Sequence, residues 1–261
     1  MINDLRGIYT IWLRDVRRFL RDRPRIIGAA AQPALFLLLL GTGLGSNMSR
    51  GIEIAKDNQG VSSQVAYISF IYPGIIGMTL LFTSVFSAIS IVWDREIGFL
   101  KEVMAAPIHR WTIAIGKGLG GSTVAMFQGS LMLIFAPLVG IKLTPLMILE
   151  IIPFLFFISF SLTSMGIVVA MQMNSMQGFT VVMNFIVLPM FFLSGAMFPL
   201  TNLPLWMDIL VKINPLTYGV DILRRIVIEY GEYSISFDVA VVGIFGLVMI
   251  ILAVLSFNKR D

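Results

Sequence analysis

The chain has 261 residues, of which 57% are hydrophobic and only 13% are charged, and its formal net charge is +4. A soluble domain is about a quarter charged, so this composition excludes a soluble globular protein and makes lipid the solvent for much of the surface. The chain has no cysteine, which excludes disulfides, thiolate nucleophiles and cysteine metal sites. We therefore expect an all-α, polytopic membrane protein.

The first 25 residues predict an amphipathic helix on the cytoplasmic membrane surface. Apolar residues from Ile8 to Leu20 recur at steps of three and four, and arginines fill the other face. The pattern lacks the short basic region and apolar core of a cleavable signal. The arginines also predict a basic segment that fixes topology, and both interpretations can hold together.

Residues 26–257 predict a transmembrane domain, because about 20 apolar residues cross a bilayer as a helix. Charged or Pro- and Gly-rich breaks separate most of its apolar stretches, and only residues 172–177 break the pattern without a charge. Pro33 and Pro189 lie inside spans and are expected to kink them. The six predicted spans are residues 26–45, 65–92, 112–139, 147–171, 178–197 and 237–257.

The distribution of Lys and Arg predicts the orientation. With the N-terminus inside, thirteen basic residues lie in cytoplasmic segments and six in outer segments. We therefore expect a multi-pass protein of the cell (inner) membrane with both termini in the cytoplasm. Glu150, near an outer helix end, is the only ionisable residue expected deep in a span.

No segment offers a nucleotide site. Residues 116–123 superficially look like a phosphate-binding loop, but Gly121 precedes Ser122 where a Lys is required, and no strand comes before them. His109 is the single histidine, and we expect a solvated or interface residue rather than a catalytic one. We predict no catalytic residue, metal or cofactor in this chain, so any ATP is hydrolysed by another polypeptide.

Two connecting segments are unusual. The cytoplasmic loop 93–111 predicts a short surface helix that buries Ile97, Leu100 and Met104 and ends at Pro107. The outer segment 198–236 is apolar near its start but is interrupted by Pro199, Pro204 and Pro215. That pattern predicts a re-entrant hairpin after the fifth span, where protein or water must cover the non-helical backbone.

Across essentially its whole length the chain resembles the membrane subunit of the type-2 family of ABC exporters. The most specific resemblance lies in Phe191-Phe-Leu-Ser-Gly-Ala-Met-Phe-Pro199, followed by Asn214-Pro-Leu-Thr-Tyr218 and Asp221-Ile-Leu-Arg224. Leu40-Gly-Thr-Gly-Leu-Gly45 is similar to the drug-resistance branch, which includes daunorubicin-type exporters.

The resemblance implies two copies around a central path lined mainly by the first, second and fifth spans. We expect a homodimer, and a heterodimer stays open as the alternative. Each copy would bind one ATP-binding-cassette ATPase subunit, which carries the ATP and Mg, through the N-terminal helix and the loop 93–111. Glu96 and Glu102 match the acidic positions of the family's coupling segment. The predicted coupling residues are Asp94, Arg95, Glu96, Lys101 and Glu102, and the predicted path residues are Phe82, Phe86, Asn184 and Phe192.

The expected substrate is a hydrophobic or amphipathic drug or lipid, because the chain has 20 Phe but only 4 Trp and 6 Tyr to stack on sugars. Export of a lipid-linked polysaccharide remains the alternative within the family. An ion-coupled secondary transporter is disfavoured because the spans offer neutral polar groups rather than proton relays. A membrane enzyme lacks a plausible set of catalytic groups, and we expect no nucleic-acid partner.

Overall fold

The computed structural model describes residues 2–43, 63–200 and 203–258, all organised around helices. The predicted loop after the first span, including Arg50 and Lys56, lies outside the described residues, as do Lys259 and Arg260. The helices are α1 Ile2–Arg21, α2 Arg23–Gly43, α3 Ser63–Ser87, α4 Ile89–Glu96, α5 Phe99–Ala105, α6 Arg110–Met132, α7 Pro145–Gln172, α8 Met176–Phe192, α9 Leu205–Ile213, α10 Pro215–Ile228 and α11 Ile235–Asn258.

Four helical stretches in the described part of the chain are long and apolar enough to cross a membrane. They are Tyr67–Glu96, Arg110–Val139, Pro145–Gln172 and Ile235–Asn258, which correspond to the second, third, fourth and sixth predicted spans. Helices α2 and α8 correspond to the first and fifth. Helix α8 has only 17 residues, or about 25 Å at 1.5 Å per residue.

The fifth predicted span ends earlier than expected, at Phe192 instead of residue 197. Pro189 has no N–H to donate and sits in the last turn of α8, where the N–H of Leu193 still reaches its carbonyl at 2.9 Å. Gly195 then takes a left-handed backbone conformation with φ of 70°, which stops the helix. Pro33 lies inside α2, as predicted.

Helix α3 is the centre of the bundle and packs against α2, α6, α7 and α10. Its large side chains, among them Tyr67, Phe70 and Tyr72, are almost completely buried. Tyr72 satisfies its buried hydroxyl by donating to the Met132 carbonyl at 3.0 Å. This core fixes one face of α3 and leaves the other face, with Phe82 and Phe86, half-exposed.

Helix α1 packs along the start of α6. A Cβ placed on Gly116 would lie 3.0 Å from the Cβ of Ile11, and one on Gly120 would lie 3.0 Å from the Cβ of Asp15. The small residues of α6 therefore let the N-terminal helix approach closely. Trp12 adds a hydrogen bond from its indole Nε1 to Thr123 Oγ1 at 3.0 Å.

The predicted hairpin segment contains two helices, α9 and α10, which meet at Asn214. Asn214 caps α10 by accepting from the N–H of Leu216 at 3.1 Å, and its amide donates to the Met190 carbonyl at 2.6 Å. Nearly every residue of α10 is buried, and the helix packs against α3 and α11. The re-entrant path predicted for this segment stays a prediction.

Candidate functional site

A cavity of about 370 Å³ opens beside the half-exposed face of α3. Three of the four predicted path residues, Phe82, Phe86 and Asn184, lie on its wall. Helices α2, α3, α6 and α8 contribute its lining, which consists of Gln32, Pro33, Met78, Thr79, Phe82, Thr83, Phe86, Gln128 and Asn184. The cavity therefore joins helices from four of the six predicted spans.

Two phenylalanines give the cavity an aromatic face. Phe82 and Phe86 are one helical turn apart on α3, and their rings stack with centroids 6.2 Å apart and an interplanar angle of 18°. Phe86 also meets the buried Phe179 of α8 edge to face, with centroids 6.3 Å apart. Phe179 is fully buried, so its contact restricts the movement of the Phe86 ring. The stacked pair Phe82 and Phe86 is therefore a preformed apolar surface.

The polar groups around this aromatic face are neutral amides and hydroxyls. Thr83 donates its hydroxyl to Gln128 Oε1 across the α3–α6 boundary, and Thr79 donates to the Ile75 carbonyl at 2.9 Å. Asn184 and Gln32 are exposed. None of the described residues that line the cavity is charged, so the site suits an uncharged group with both apolar and hydrogen-bonding parts.

The fourth predicted path residue is elsewhere. Phe192 lies at the end of α8, two turns beyond Asn184, and does not line the cavity. Its side chain is 48% exposed and its ring packs against that of Phe191, with centroids 5.4 Å apart. The difference arises because eight residues of helix span about 12 Å, more than the depth of one small cavity.

The predicted coupling segment consists of α4, a sharp joint at Gly98 and α5. Gly98 has φ of 79°, a left-handed conformation that favours glycine. Leu100 is buried, as predicted, but Ile97 is 62% exposed. The prediction for Ile97 assumed one continuous helix, and the joint turns its side chain outward. Lys101 and Glu102 are exposed on α5.

Asp94, which was predicted to be a coupling residue, is buried instead of lying on the exposed surface of the coupling segment. Its side chain is 6% exposed and its Oδ2 atom accepts from Lys117 Nζ at 3.0 Å and from Arg14 at 2.6 Å. Lys117 also lies 3.3 Å from Asp15 Oδ1 and donates to Ser90 at 3.0 Å. This cluster, which we call the ionic core, ties α1, α4 and α6 together behind the coupling segment.

Arg95 and Glu96 point the other way, toward the connection between α7 and α8. Arg95 donates to the carbonyls of Ala170 and Met171, each at 3.3 Å, and to that of Met173. Glu96 accepts from the backbone N–H of Met176 at 2.9 Å. Two of the five predicted coupling residues are thus bonded to the backbone of other helices.

His109 anchors the N-terminal helix to the start of α6. Asp4 Oδ1 lies 2.8 Å from His109 Nδ1 and accepts from the His109 backbone N–H at 3.1 Å and from the Thr112 hydroxyl at 3.2 Å. The bond from the His109 side chain, then that from its backbone, holds the pKa of the Asp4 carboxyl well below its usual range. His109 thus contacts α1, while its side chain stays 73% exposed.

The segments that carry the sequence resemblance form one packed unit. Arg224 donates to the Gly195 carbonyl at 2.6 Å, and its guanidinium lies 4.1 Å from the centre of the Phe70 ring. A Cβ on Gly74 would lie 2.2 Å from the Ala196 carbonyl oxygen. The residues that carry the sequence resemblance therefore hold the segment after α8 against the central helix α3.

A family model described as ABC-2 type transporter matches residues 6–228 of the chain. The chain belongs to the ABC-2 type transporter family. This ABC-2 membrane protein is 30% identical over 208 residues to the putative transport permease ycf38 of Cyanophora paradoxa, covering 78% of this chain and 69% of that protein.

Two further relatives show how widely such permeases differ. The probable multidrug ABC transporter permease YbhR of Escherichia coli (strain K12) is 25% identical over 177 residues, which cover 66% of this chain but only 47% of YbhR. Nodulation protein J of Rhizobium leguminosarum bv. viciae is 24% identical over 237 residues, covering 90% of this chain and 87% of that protein.

Sequence reasoning missed the buried ionisable residues of this ABC-2 protein. Lys117 lies inside α6 and Asp238 inside α11, and both are buried. Lys117 stands between Gly116 and Gly118, and such a Lys flanked by glycines was the available signal that another helix approaches. Residues 116–123, the phosphate-loop look-alike, lie within the continuous helix α6, so they form no phosphate-binding loop.

Proposed function

We propose that this chain is the transmembrane subunit of an ATP-binding-cassette exporter that moves a hydrophobic or amphipathic, drug-like or lipid-like substrate out of the cytoplasm or the inner leaflet. The observation that carries the proposal is the cavity between α2, α3, α6 and α8, with its stacked Phe82 and Phe86 and its uncharged lining. Family membership supports the transport role.

The proposed topology has six spans, with both termini on the cytoplasmic side of the cell membrane. Support comes from the distribution of basic residues and from the ionic core. Arg14 of α1 reaches Asp94 at 2.6 Å, so the N-terminal helix and the loop after the second span lie on the same side. Exposed arginines of α1, such as Arg17 and Arg21, would face anionic headgroups.

A second copy of the chain is the proposed partner within the membrane. Helix α8 carries an exposed apolar stripe at helical spacing, formed by Val181, Phe185, Leu188 and Phe192. The cavity lies beside this helix, so pairing two copies along α8 would enclose two cavities around a shared path. The homodimer would make Phe192 part of that path even though it lies outside the cavity of one copy.

The ATPase subunit, with its ATP and Mg, is proposed to bind at the cytoplasmic groove between α1 and α5. A cavity of about 510 Å³ lies there, lined by Phe99, Val103 and Ile108 among others and bordered by Arg6 and Arg14. The exposed Lys101 and Glu102 flank it on α5. ATP binding would close the two ATPases and move both coupling segments. Because ATP would bind the closed state more tightly than the open one, it would shift the conformational equilibrium toward the closed state.

A lipid-linked polysaccharide is the second candidate substrate, favoured by one observation. Amide and hydroxyl groups of Gln32, Thr79, Gln128 and Asn184 surround the aromatic face, and such neutral groups can hydrogen-bond sugar hydroxyls. An ion-coupled secondary transporter stays a weaker candidate. The buried Lys117 is an ionisable residue inside a predicted span, of the kind that an ion-coupled transporter would need. Its ammonium, however, is already paired with Asp94 and Asp15.

The test is purification of the tagged chain from its native membranes, followed by reconstitution with any stoichiometric ATPase partner. Vesicles are then supplied with fluorescent phospholipid, a hydrophobic dye or a labelled lipid-linked oligosaccharide. ATP-dependent movement of the first two supports the proposed function, and movement of the third alone supports the second candidate. Transport that stops when the proton gradient is dissipated at constant ATP would overturn both in favour of an ion-coupled transporter.

A further inference from the structure

Two neighbouring residues at the end of α4 hold both sides of the connection between α7 and α8. Arg95 binds the C-terminal end of α7, and Glu96 binds the N-terminal end of α8. Only Met173, Asn174 and Ser175 separate those two helices. A single rigid element therefore contacts the end of one helix and the beginning of the next.

The Arg95 contacts match the chemistry of a helix C-terminus. The last four carbonyls of a helix lack partners within it, and together they carry partial negative charge. Arg95 donates to the carbonyls of Ala170 and Met171, in the last turn of α7, and to that of Met173, the residue after the helix. The guanidinium spreads its donors over three acceptors, which a single ammonium cannot do in the same geometry.

The Glu96 contact is the complementary one. The first N–H groups of a helix lack partners and carry partial positive charge. Glu96 accepts from the first of these in α8, at Met176, at 2.9 Å, while Ser175 accepts from that of Gly178 at 3.1 Å. The Glu96 carboxylate is thus an N-terminal cap of α8 that is supplied by another helix. Because it binds the backbone of α8, movement of the carboxylate and movement of α8 are linked.

We infer that Arg95 and Glu96 form a clamp that transmits movement of the coupling segment to α8, the helix that brings Asn184 to the cavity. The inference rests on the proposed function. Met176 and Asn184 are eight residues apart, about 12 Å along one helix, so a shift at the clamped end is carried to the cavity wall. The joint at Gly98 lies directly after the clamp, between it and the exposed face of α5.

The clamp makes a different prediction from direct binding of the ATPase by these side chains. Gln at position 96 keeps an acceptor oxygen for the Met176 N–H but removes the charge that an ATPase would bind, whereas Leu removes both. Glu150 provides a control because it is an exposed carboxylate near the start of α7, at the opposite end of that helix from the Arg95 contacts, and no hydrogen bond of its side chain is found among the described residues.

The experiment uses the full complex with the variants E96Q, E96L, R95M and E150L. Since the chain has no cysteine, Q177C places one spin label at the exposed start of α8 and A105C a second at the end of α5, outside the groove proposed for the ATPase. The doubly labelled chain is diluted with unlabelled copies. We measure ATPase stoichiometry and the label distance without nucleotide and with ATP plus vanadate. E96L and R95M should retain the ATPase yet lose the nucleotide-dependent change in the position of α8, whereas E96Q and E150L should behave as wild type.

Two results would overturn the clamp. One is an unchanged response of α8 in both E96L and R95M. The other is loss of the ATPase from E96Q as complete as from E96L, because that result assigns Glu96 to docking.

Hydrogen exchange tests the contact without any ATPase. Amides 176–179 should exchange faster in E96L than in E96Q, and equal protection in the two variants would also refute the clamp. If the wild-type chain binds no ATPase while E96L and E96Q still differ in this exchange, the proposed function is overturned and the clamp's contacts stand.

Discussion

Lys117 Nζ lies 3.0 Å from Asp94 Oδ2, and both side chains are almost completely buried, at 4% and 6% exposure. Removing one partner of such a pair leaves an uncompensated charge in the interior, which costs more than the pair itself contributes. The pair joins α4, which carries the clamp, to α6, which supports α1. Its integrity therefore affects both the fold and the coupling segment.

Replacing Lys117 with Met should destabilise the protein by about 3 kcal/mol, because Asp94 and Asp15 then keep only the partly exposed Arg14 as a cation. The measurement is the thermal unfolding midpoint in detergent. The double variant D94L/K117M should recover part of the loss, since it removes the carboxylate as well. A double variant that is less stable than both single ones would contradict this account of the ionic core.

The anchoring of α1 should depend on pH through Asp4. Because the folded state holds the Asp4 pKa below its usual value, the carboxylate contributes stability above the unfolded pKa and loses it as the pH falls through the folded pKa. Hydrogen exchange of α1 should therefore rise only in strong acid. D4N should raise it already at neutral pH and remove that acid dependence, whereas an N3Q variant, altered beside Asp4, should keep it.

The aromatic face of the cavity should be needed for substrate. F82A should raise the concentration of a hydrophobic dye that half-stimulates ATP hydrolysis by about tenfold, since the lost apolar contact is worth roughly 1–2 kcal/mol. F192A is the comparison variant, because Phe192 lies outside the cavity of one copy but on the path proposed for the dimer. Equal effects of the two substitutions would show that the shared dimer path, and not this cavity, recognises the dye.

Asp238 is expected to tolerate neutralisation. Both of its carboxyl oxygens are buried and have no hydrogen-bond partner among the described residues, so D238N removes a buried negative charge without breaking a described hydrogen bond and should leave the unfolding midpoint unchanged or raise it. D221L should lower the midpoint because Asp221 accepts from the N–H groups of Glu232 and Tyr233 at 3.0 and 3.1 Å. A large loss in D238N would mean that the carboxylate has a partner in the assembled complex.

The close approach of α3 to the segment after α8 should make Gly74 irreplaceable. A Cβ there would meet the backbone of Ala196 at 2.2 Å, so G74A should cost about 3 kcal/mol of stability by forcing these elements apart. G28A is the control, because a Cβ on Gly28 meets nothing within 4 Å. The comparison is made by thermal unfolding, and similar midpoints for both variants would contradict the packing described.

The sequence was most informative where one physical requirement dominates. The need for apolar length identified the long spans. Phe82 and Phe86 were chosen as path residues through the family resemblance, and their spacing of four residues on a helix places them on one face. Asn184 could be paired with them only through the family resemblance, because its position beside the cavity depends on how α8 packs against α3. Phe192 was predicted on the same basis as Asn184 but does not line the cavity, because it lies two turns farther along α8.

The charged residues were harder to interpret, because the sequence does not show which partner a charge will meet. Asp94, Arg95 and Glu96 are consecutive, and all three were expected to serve the ATPase. The structure turns Asp94 inward to Lys117 and directs Arg95 and Glu96 to backbone groups of α7 and α8. Ile97 was assigned the wrong environment because the joint at Gly98 interrupts the helical period.

The packing of α1 on α6 also has a consequence for biogenesis. Trp12 and Thr123 are 111 residues apart in the chain, so at about 5–20 residues per second the ribosome needs roughly 5–20 s between them. In the proposed topology, the arginine-rich first helix waits at the membrane surface while two spans insert, and it can bind only when the glycine face of α6 has been made. Translation of the third predicted span then sets the time at which α1 docks.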